Sequence, residues 1–242
     1  MPKTALVTGA SRGIGAACAQ ALAQAGYAVI ACYHTGQKEA ESVCEKILQA
    51  GGECAVYGMD VADSAQAQAA AKFAIARYGR IDLLVNSAGI AHFSLASETT
   101  DQEWRRVFSV NMDGVFYMCR AVMPDMIARK SGCILNIGSM WGEVGASCES
   151  AYSASKAAVI GYTRALAKEL GPSGIRVNCI SPGLIDTEMN RMLSSADKAA
   201  VVEETPLGRM GTPQDVAQLA VFLAQDRFIT GQVIGVNGGL VI

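Results

Sequence analysis

The stretch Thr4-Ala5-Leu6-Val7-Thr8-Gly9-Ala10-Ser11-Arg12-Gly13-Ile14-Gly15, close to the start of the chain, decides the fold. Residues 4–8 have the apolar character of a buried strand, and residues 13–26 have the pattern of an amphipathic helix. The glycines between them permit a tight turn, in which backbone N–H groups and the positive end of the helix can approach a pyrophosphate. The spacing is G-x-x-x-G-x-G, not the more common G-x-G-x-x-G. The loop alone therefore indicates either a dinucleotide site or an ordinary strand–helix turn.

The rest of the chain continues this alternation of short apolar runs and longer helical stretches. Predicted strands cover residues 4–8, 28–33, 53–57, 82–85, 133–137, 176–180 and 232–236. Predicted helices cover residues 13–26, 38–50, 64–78, 101–129, 151–170, 188–204 and 213–224. Strands that are apolar throughout and alternate with helices indicate a parallel sheet covered on both faces. With no linker or repeat in the pattern, we expect one doubly wound α/β domain over residues 1–242.

Composition excludes several classes of protein. Hydrophobic residues make up 51% of the chain and charged residues 17%, which argues against disorder. The net charge of −2 indicates no nucleic-acid or anionic-membrane surface. The amino terminus lacks a signal-peptide pattern, and no run of about 18 apolar residues is present, so we expect a cytoplasmic protein. The eight cysteines form no C-x-x-C pair and only His34 and His92 could join them, so we expect reduced core thiols and no metal site.

The end of the second strand bears on which dinucleotide would bind. NAD enzymes usually place an acid there to bind the ribose 2′-hydroxyl, whereas a 2′-phosphate needs cations. The segment Ala31-Cys32-Tyr33-His34-Thr35-Gly36 contains no acid. Arg12 in the glycine loop, with His34 or Lys38, would meet a 2′-phosphate without a carboxylate to repel it. This favours NADP(H), although Arg12 and His34 are also compatible with solvated surface positions.

Two further strand ends carry candidate contacts on the adenosine side. Asp60-Val61 follows the third strand, and Asp60 can accept a bond from an adenine amino group. Asp60, Asp63 or Ser64 can equally cap the next helix. Asn86-Ser87-Ala88-Gly89 ends the fourth strand, where small residues let a cofactor lie against the backbone. A simple turn explains Gly89 equally well.

Tyr152 and Lys156 are the candidate catalytic pair. Residues four apart share one face of a helix, so the phenol and the ammonium point the same way. Reduction of a ketone needs a proton on oxygen, and a phenol pKa of about 10 is poorly matched to neutral pH. A nearby ammonium and an oxidised nicotinamide ring would lower that pKa and make tyrosine a usable general acid. Of the seven tyrosines only Tyr152 has a lysine four residues later, and Ser139, just after the fifth strand, could hold the substrate oxygen.

In combination these motifs resemble the short-chain dehydrogenase/reductase family over essentially the whole chain. The matching positions are Thr8 to Gly15, Asn86 to Gly89, Asn111, Ser139, Tyr152, Lys156, Pro182-Gly183, Gly231 and Asn237-Gly238-Gly239. The resemblance implies one Rossmann-type domain with a seven-stranded parallel sheet in the order 3-2-1-4-5-6-7, and a homotetramer. Ser87 departs from the family, which usually has a second Asn at this position.

The resemblance also implies roles for individual residues. Tyr152 would donate the proton, Lys156 would bind the nicotinamide ribose and depress the tyrosine pKa, and Ser139 would orient the carbonyl. Asn111 would support a water that links Lys156 to solvent. Cofactor contacts are implied at Gly9, Ser11, Arg12, Gly13, Ile14, Gly15, His34, Asp60, Val61, Asn86, Ala88, Gly89, Tyr152, Lys156, Pro182, Gly183, Ile185 and Thr187.

The substrate is less well defined. The chain is most similar to 3-oxoacyl-acyl-carrier-protein reductases of fatty acid biosynthesis, which implies a β-ketoacyl thioester and acyl-carrier protein as partner. Its loop Ser139 to Glu149 resembles reductases of a 5-aminopentanone modification on elongation factor P. There Glu143 or Glu149 would pair with the substrate ammonium, unless both face solvent or another subunit. We expect residues 188–204 to form the substrate loop.

Other interpretations remain open at this point. Arg129 and Lys130 would attract an acidic carrier protein if they lie at the site mouth, or would simply complement the end of their helix. A catalytically silent NADP-binding regulator has no reason to keep Asn111, Ser139 and the Tyr–Lys pair. A dehydrogenase working in the oxidative direction is a further alternative.

Overall fold

A parallel sheet forms the centre of the structure, a computed structural model that describes residues 2–192 and 194–242. Within those residues the sheet has seven strands: β1 (Lys3–Val7), β2 (Tyr27–Tyr33), β3 (Cys54–Gly58), β4 (Leu83–Asn86), β5 (Gly132–Ile137), β6 (Ile175–Pro182) and β7 (Val233–Val236). Their order is β3-β2-β1-β4-β5-β6-β7, and every pair is parallel. The predicted fold class and strand order are confirmed.

Helices cover both faces of the sheet. They are α1 (Gly13–Gln24), α2 (Gln37–Gln49), α3 (Ser64–Tyr78), α4 (Asp101–Phe108), α5 (Gly114–Arg129), α6 (Trp141–Val144), α7 (Ser150–Leu170), α8 (Ser195–Glu204) and α9 (Pro213–Gln225). One apolar cluster lies between the sheet and α1, α2 and α9. A second lies on the opposite face under α3, α5 and α7. The central strands β1, β2, β4, β5 and β6 are mostly apolar because both of their faces are buried.

The predicted long helix over residues 101–129 is interrupted. Helix α4 is followed by a π-helical turn over Ser109–Asp113, and α5 then begins at Gly114. Hydrophobic periodicity does not distinguish such a turn from a continuous helix, because both bury nearly the same face. The interruption places Asn111 in the π turn, which is where the site needs it.

The predicted helix over residues 188–204 is also divided. A 3-10 turn covers Glu188–Met192, Leu193 lies outside the described residues, and α8 begins at Ser195. Ser194 caps α8 by accepting a hydrogen bond from the backbone N–H of Asp197. A polar cap of this kind starts a new helix instead of continuing an old one.

The cysteines are core thiols, as predicted. All eight are free, and all except the partly buried Cys148 are buried. Burial raises the pKa of the Cys18 and Cys32 thiols to about 12, so these groups are neutral and unreactive at neutral pH. In the described part of the chain, no helix is both long and apolar enough to cross a membrane.

Candidate active site

The glycine loop connects β1 to α1 and packs against the segment that follows β4. Gly9 adopts a positive φ of 64°, and a Cβ atom there would lie 2.9 Å from the Cα of Ala88. A Cβ atom on Gly15 would overlap the carbonyl oxygen of Gly9. Both positions therefore require glycine, and the backbone of the loop stays open to a ligand. Ile14, in the first turn of α1, packs against the apolar cluster under that helix.

Thr8 holds the two strand ends together. Its hydroxyl oxygen accepts hydrogen bonds from the backbone N–H groups of Ser87 and Ala88, at 3.0 and 3.1 Å. These bonds use the main chain at residue 87. The replacement of the family's usual Asn by Ser87 therefore leaves this connection intact.

The loop fits the pyrophosphate of a dinucleotide. Arg12 is the N-cap residue of α1, its side chain does not cap the helix, and the first turn carries no acidic residue. The first N–H groups of α1 are therefore available to an anion. A Cβ atom on Gly13 would lie 3.4 Å from Cγ2 of Thr187, so the segment after β6 crosses directly over this loop.

Arg12 lies at the end of β2, where a 2′-phosphate would be recognised. Its Nη2 donates to the hydroxyl of Thr35 at 3.2 Å, and the Ser11 side chain lies close to Gly36. Thr35 was missed by sequence reasoning as a hydroxyl that could bind a phosphate, although it is the only hydroxyl between β2 and α2. The Arg12 Nη1 forms an ion pair with Glu188 at 2.8 Å.

The expectation that no carboxylate lies near this position is wrong. Besides Glu188, the carboxylate of Asp60 lies 3.8 Å from Nε2 of His34 and 3.9 Å from Nη1 of Arg106. Both acids come from segments far from β2 in the sequence, so inspection of the strand end alone does not reveal them.

The helix that follows Asp60 is capped by a different residue. Asp63 caps α3, accepting hydrogen bonds from the N–H groups of Ala65 and Gln66 at 2.8 and 3.2 Å. Asp60 instead accepts a bond from the N–H of Ala62 at 2.9 Å, and its carboxylate also lies near His34. The neighbouring Val61 is buried and contacts Gly114.

Asn86 belongs to a buried polar chain. Its amide donates to Asn136 Oδ1 at 2.9 Å, and the Asn136 amide donates to the hydroxyl of Thr163, also at 2.9 Å. This network ties β4 and β5 to α7. The Asn86 side chain is therefore committed to the core, and a cofactor contact at this residue would come from its main chain.

Tyr152 and Lys156 are both buried on the inner face of α7. The Lys156 Nζ donates to the carbonyl oxygen of Ile137 at 2.8 Å and lies 5.7 Å from the centroid of the Tyr152 ring. Ser139 follows Ile137 at the carboxyl end of β5, and its hydroxyl accepts a bond from the N–H of Trp141 at 3.2 Å. These contacts bring the phenol, the ammonium and the serine hydroxyl to one edge of the sheet.

Burial determines the pKa values of the pair. It raises the pKa of Tyr152 to about 12, with a further rise from the Glu149 carboxylate and an opposing effect of the nearby Ser139 side chain. Burial also lowers the pKa of Lys156 to about 8. The tyrosine shift is opposite to the lowering expected from the sequence. The cause is desolvation of the phenolate, which the ammonium does not offset from its position at the carbonyl of Ile137.

Asn111 connects three parts of the site. Its Nδ2 donates to the carbonyl of Ile90 at 2.9 Å and to the hydroxyl of Ser155 at 3.0 Å, while its Oδ1 accepts the N–H of Ile90 at 2.8 Å. A Cβ atom on Gly89 would lie 3.3 Å from Asn111 Oδ1 and 3.5 Å from Lys156 Nζ. Asn111 therefore fixes the loop after β4 against α7, next to the lysine.

The loop after Ser139 brings two glutamates toward the site. Glu143 accepts a hydrogen bond from the buried Ser181 hydroxyl at the end of β6. Glu149 is partly buried, and burial raises the pKa of its carboxyl group. It influences Tyr152 electrostatically, so neither glutamate simply faces solvent.

The segment after β6 is held in place by its backbone. The carbonyl of Pro182 accepts the N–H of Met140 at 3.0 Å, and the N–H of Gly183 donates to Val236 at 3.0 Å. Ile185 is buried beside Gly211. With Thr187 above the glycine loop, this segment lines the edge of the sheet between β5 and β1.

Arg129 and Lys130 lie at the opposite edge of the sheet. Arg129 pairs with Asp125 at 2.8 Å and with Asp82, which directly precedes β4, at 3.4 Å. It also donates to the carbonyl of Ile81. Within one chain these cations are therefore not at the site mouth, and the helix-terminus interpretation is the one that agrees with the structure.

Comparisons with known proteins agree with the fold. A family model described as enoyl-(acyl carrier protein) reductase matches residues 9–241. The 3-oxoacyl-[acyl-carrier-protein] reductase FabG of Staphylococcus aureus is 41% identical over 242 residues, which cover 99% of this chain and 98% of that protein. The oxidoreductase YmfI of Bacillus subtilis is 39% identical over 245 residues, covering 99% of each chain.

A solved structure of another protein has the same fold. The dehydrogenase/reductase from Sinorhizobium meliloti superposes with a TM-score of 0.93 at 39% identity, covering 99% of this chain and 95% of that one. The relatives match along their full length, through the glycine loop and the edge that carries Tyr152. The chain therefore belongs to the short-chain dehydrogenase/reductase family and is an oxidoreductase that uses a nicotinamide cofactor.

Proposed function

We propose that this enzyme reduces the keto group of a 3-oxoacyl thioester carried on acyl-carrier protein, with NADPH as reductant. The observation that carries the proposal is the convergence of Ser139, Tyr152 and Lys156 at the edge of the sheet next to the glycine loop. The similarity to FabG, a 3-oxoacyl-acyl-carrier-protein reductase, supports the substrate class.

Proton donation falls to Tyr152. Burial raises its pKa to about 12, so the phenol is protonated at neutral pH. It would become a usable general acid toward the carbonyl oxygen once the Lys156 ammonium and a bound nicotinamide ring lower that pKa. Ser139 would hold that same oxygen, so the developing negative charge meets two hydroxyl groups. When bound, the reduced nicotinamide supplies the hydride to the carbonyl carbon. The Lys156 ammonium, fixed by the carbonyl of Ile137, is positioned for the nicotinamide ribose and for replacing the proton that Tyr152 gives up.

The preference for NADPH rests on Arg12 and Thr35. Their side chains are 3.2 Å apart and offer a guanidinium and a hydroxyl at the end of β2. A phosphate is bound well by such charge-assisted donors. Arg106 adds positive charge nearby, partly balanced by the carboxylate of Asp60, which also lies close to the imidazole of His34. We therefore favour NADPH over NADH.

A second substrate is favoured by a specific observation, the position of Glu149. This partly buried carboxylate acts on Tyr152, and a buried negative charge next to the reacting carbonyl would stabilise a cationic substrate. The 5-aminopentanone group on elongation factor P carries an ammonium as well as a ketone. It is therefore the second candidate substrate.

A substrate comparison tests both candidates. Purified enzyme is given NADPH with acetoacetyl-acyl-carrier protein or with elongation factor P that carries the amino ketone, and NADPH oxidation is followed. We expect turnover of the thioester, and Glu149→Gln should change its kcat/KM by less than about threefold. If only the amino ketone is turned over, and Glu149→Gln lowers its kcat/KM tenfold or more, the second candidate is correct.

A further inference from the structure

The guanidinium of Arg12 bonds two segments of the chain outside its own loop. Its Nη2 bonds the hydroxyl of Thr35 after β2, and its Nη1 bonds the carboxylate of Glu188 in the 3-10 turn at the start of the expected substrate loop. Arg12 itself belongs to the glycine loop. Glu188 is 176 residues away from Arg12 in the sequence, so the fold alone brings this acid to the cofactor side of the site.

The Arg12 guanidinium and the Thr35 hydroxyl are also the donors that a 2′-phosphate would need. A guanidinium binds a phosphate best through two parallel N–H donors, and the phosphate repels a carboxylate beside the same group. The position next to Thr35 is the one that the 2′-phosphate of NADPH would take under the proposed function. Glu188, at 2.8 Å from Nη1, already holds one of the two terminal nitrogens.

We propose that Glu188 competes with the 2′-phosphate of NADPH for Arg12, and thereby limits the preference of the enzyme for NADPH over NADH. NADPH would have to exchange one anion on Arg12 for another, whereas NADH, which has no 2′-phosphate, leaves the ion pair intact. This inference rests on the proposed NADPH dependence and assigns Glu188 as a specificity-determining residue.

The size of the effect follows from exposure. The side chains of Arg12 and Glu188 are 51% and 44% exposed, so solvent and salt screen the pair. Pairs of this kind affect equilibria by about two- to fivefold. The competition therefore tunes the cofactor preference and does not reverse it.

The opposite role for Glu188 gives an opposite result. If Glu188 steadies Arg12 in the conformation that binds the phosphate, its removal loosens NADPH binding. If Glu188 releases Arg12 only by moving away, its removal tightens NADPH binding. Replacing the Glu188 carboxylate by an amide keeps the size of the side chain and removes its charge. This change therefore distinguishes the two roles.

The test measures dissociation constants of NADPH and NADH by titration calorimetry, without substrate. Glu188→Gln is compared with the wild type, and Glu169→Gln is the control because it removes the same charge from the exposed carboxyl end of α7. We expect Glu188→Gln to bind NADPH about two- to fivefold more tightly, with NADH unchanged, and the gain to shrink as salt is raised. Glu169→Gln should bind both cofactors as the wild type does.

Arg12→Ala separates this inference from the function on which it rests. In the Arg12→Ala background, adding Glu188→Gln should have no effect on NADPH binding, because the guanidinium for which Glu188 and the 2′-phosphate compete has been removed. Weaker or unchanged NADPH binding by Glu188→Gln alone overturns the inference. If instead the wild type binds NADH as tightly as NADPH and Arg12→Ala changes neither, the proposed NADPH dependence itself has failed.

Discussion

Lys156 keeps its ammonium group inside the protein, next to the carbonyl of Ile137, and this position makes it sensitive to pH. Burial lowers its pKa to about 8, while the pKa of Tyr152 is raised to about 12. The lysine therefore loses its proton well before the tyrosine as the pH rises.

This order of titration predicts a pH profile. The kcat/KM for ketone reduction should be constant between pH 6 and about 7.5 and fall as the pH rises through about 8, because the charged lysine is lost. Steady-state rates between pH 6 and 10 provide the measurement. A Lys156→Arg variant that keeps activity should keep it to higher pH, since its guanidinium stays charged. A wild-type profile that is flat to pH 10 contradicts this assignment.

Individual site residues were predictable where they stand in a local motif. The glycine loop, Ser139 and the Tyr152–Lys156 pair have fixed spacings, and the structure places them at one edge of the sheet. Glu188 and Asp60 were missed as neighbours of the phosphate position because their approach depends on long-range packing. The direction of the Tyr152 pKa shift was missed for the same reason, since desolvation is a property of the whole environment.

At the scale of elements, the π turn over Ser109–Asp113 is the feature that joins the site to the scaffold. Strands and most helices followed from hydrophobic periodicity, with ends that differ by a few residues. The π turn and the short helix α6 did not, because neither is long enough to produce a period of its own. Turns of the π type occur often at functional sites.

Asn111 in this turn should be important for stability. Asn111→Ala leaves the N–H and the carbonyl of Ile90 without this partner, while the Ser155 hydroxyl keeps its bond to the carbonyl of Tyr152. Each group left unpaired costs about 1–3 kcal/mol. We expect the free energy of unfolding to fall by about 2–5 kcal/mol, measured by urea denaturation at fixed protein concentration. Ser109→Ala, which removes only an exposed bond to Arg106, should cost less than about 0.5 kcal/mol. Equal stability of the two variants would show that the Asn111 contacts contribute little.

At the scale of the whole molecule, large apolar side chains remain on the surface of the single chain. Phe222 on α9 and Phe228 just after it are 54% and 96% exposed, and the final residue Ile242 is fully exposed. Both phenylalanines come from the part of the chain between β6 and the edge strand β7, and Ile242 follows β7. Exposed apolar groups of this kind mark surfaces of association.

We expect a homotetramer in which these exposed apolar side chains are buried between subunits. Light scattering after size exclusion should give the mass of four chains of 25.3 kDa each. Phe228→Asp should reduce the mass, because a buried Phe contributes about 1.5–3 kcal/mol to association. Phe93→Asp is the control, since Phe93 is 61% exposed on the loop after β4, close to the substrate side. A wild-type mass of 25.3 kDa would exclude the tetramer.

The most direct test of the central claim, that Tyr152 protonates a ketone reduced by NADPH, is the Tyr152→Phe variant. The change removes one hydroxyl from a buried ring and keeps the packing of α7. NADPH oxidation with acetoacetyl-acyl-carrier protein should fall by about a hundredfold or more, the size of a general-acid contribution, while the dissociation constant for NADPH stays within about twofold. Turnover by Tyr152→Phe at the wild-type rate would contradict the account.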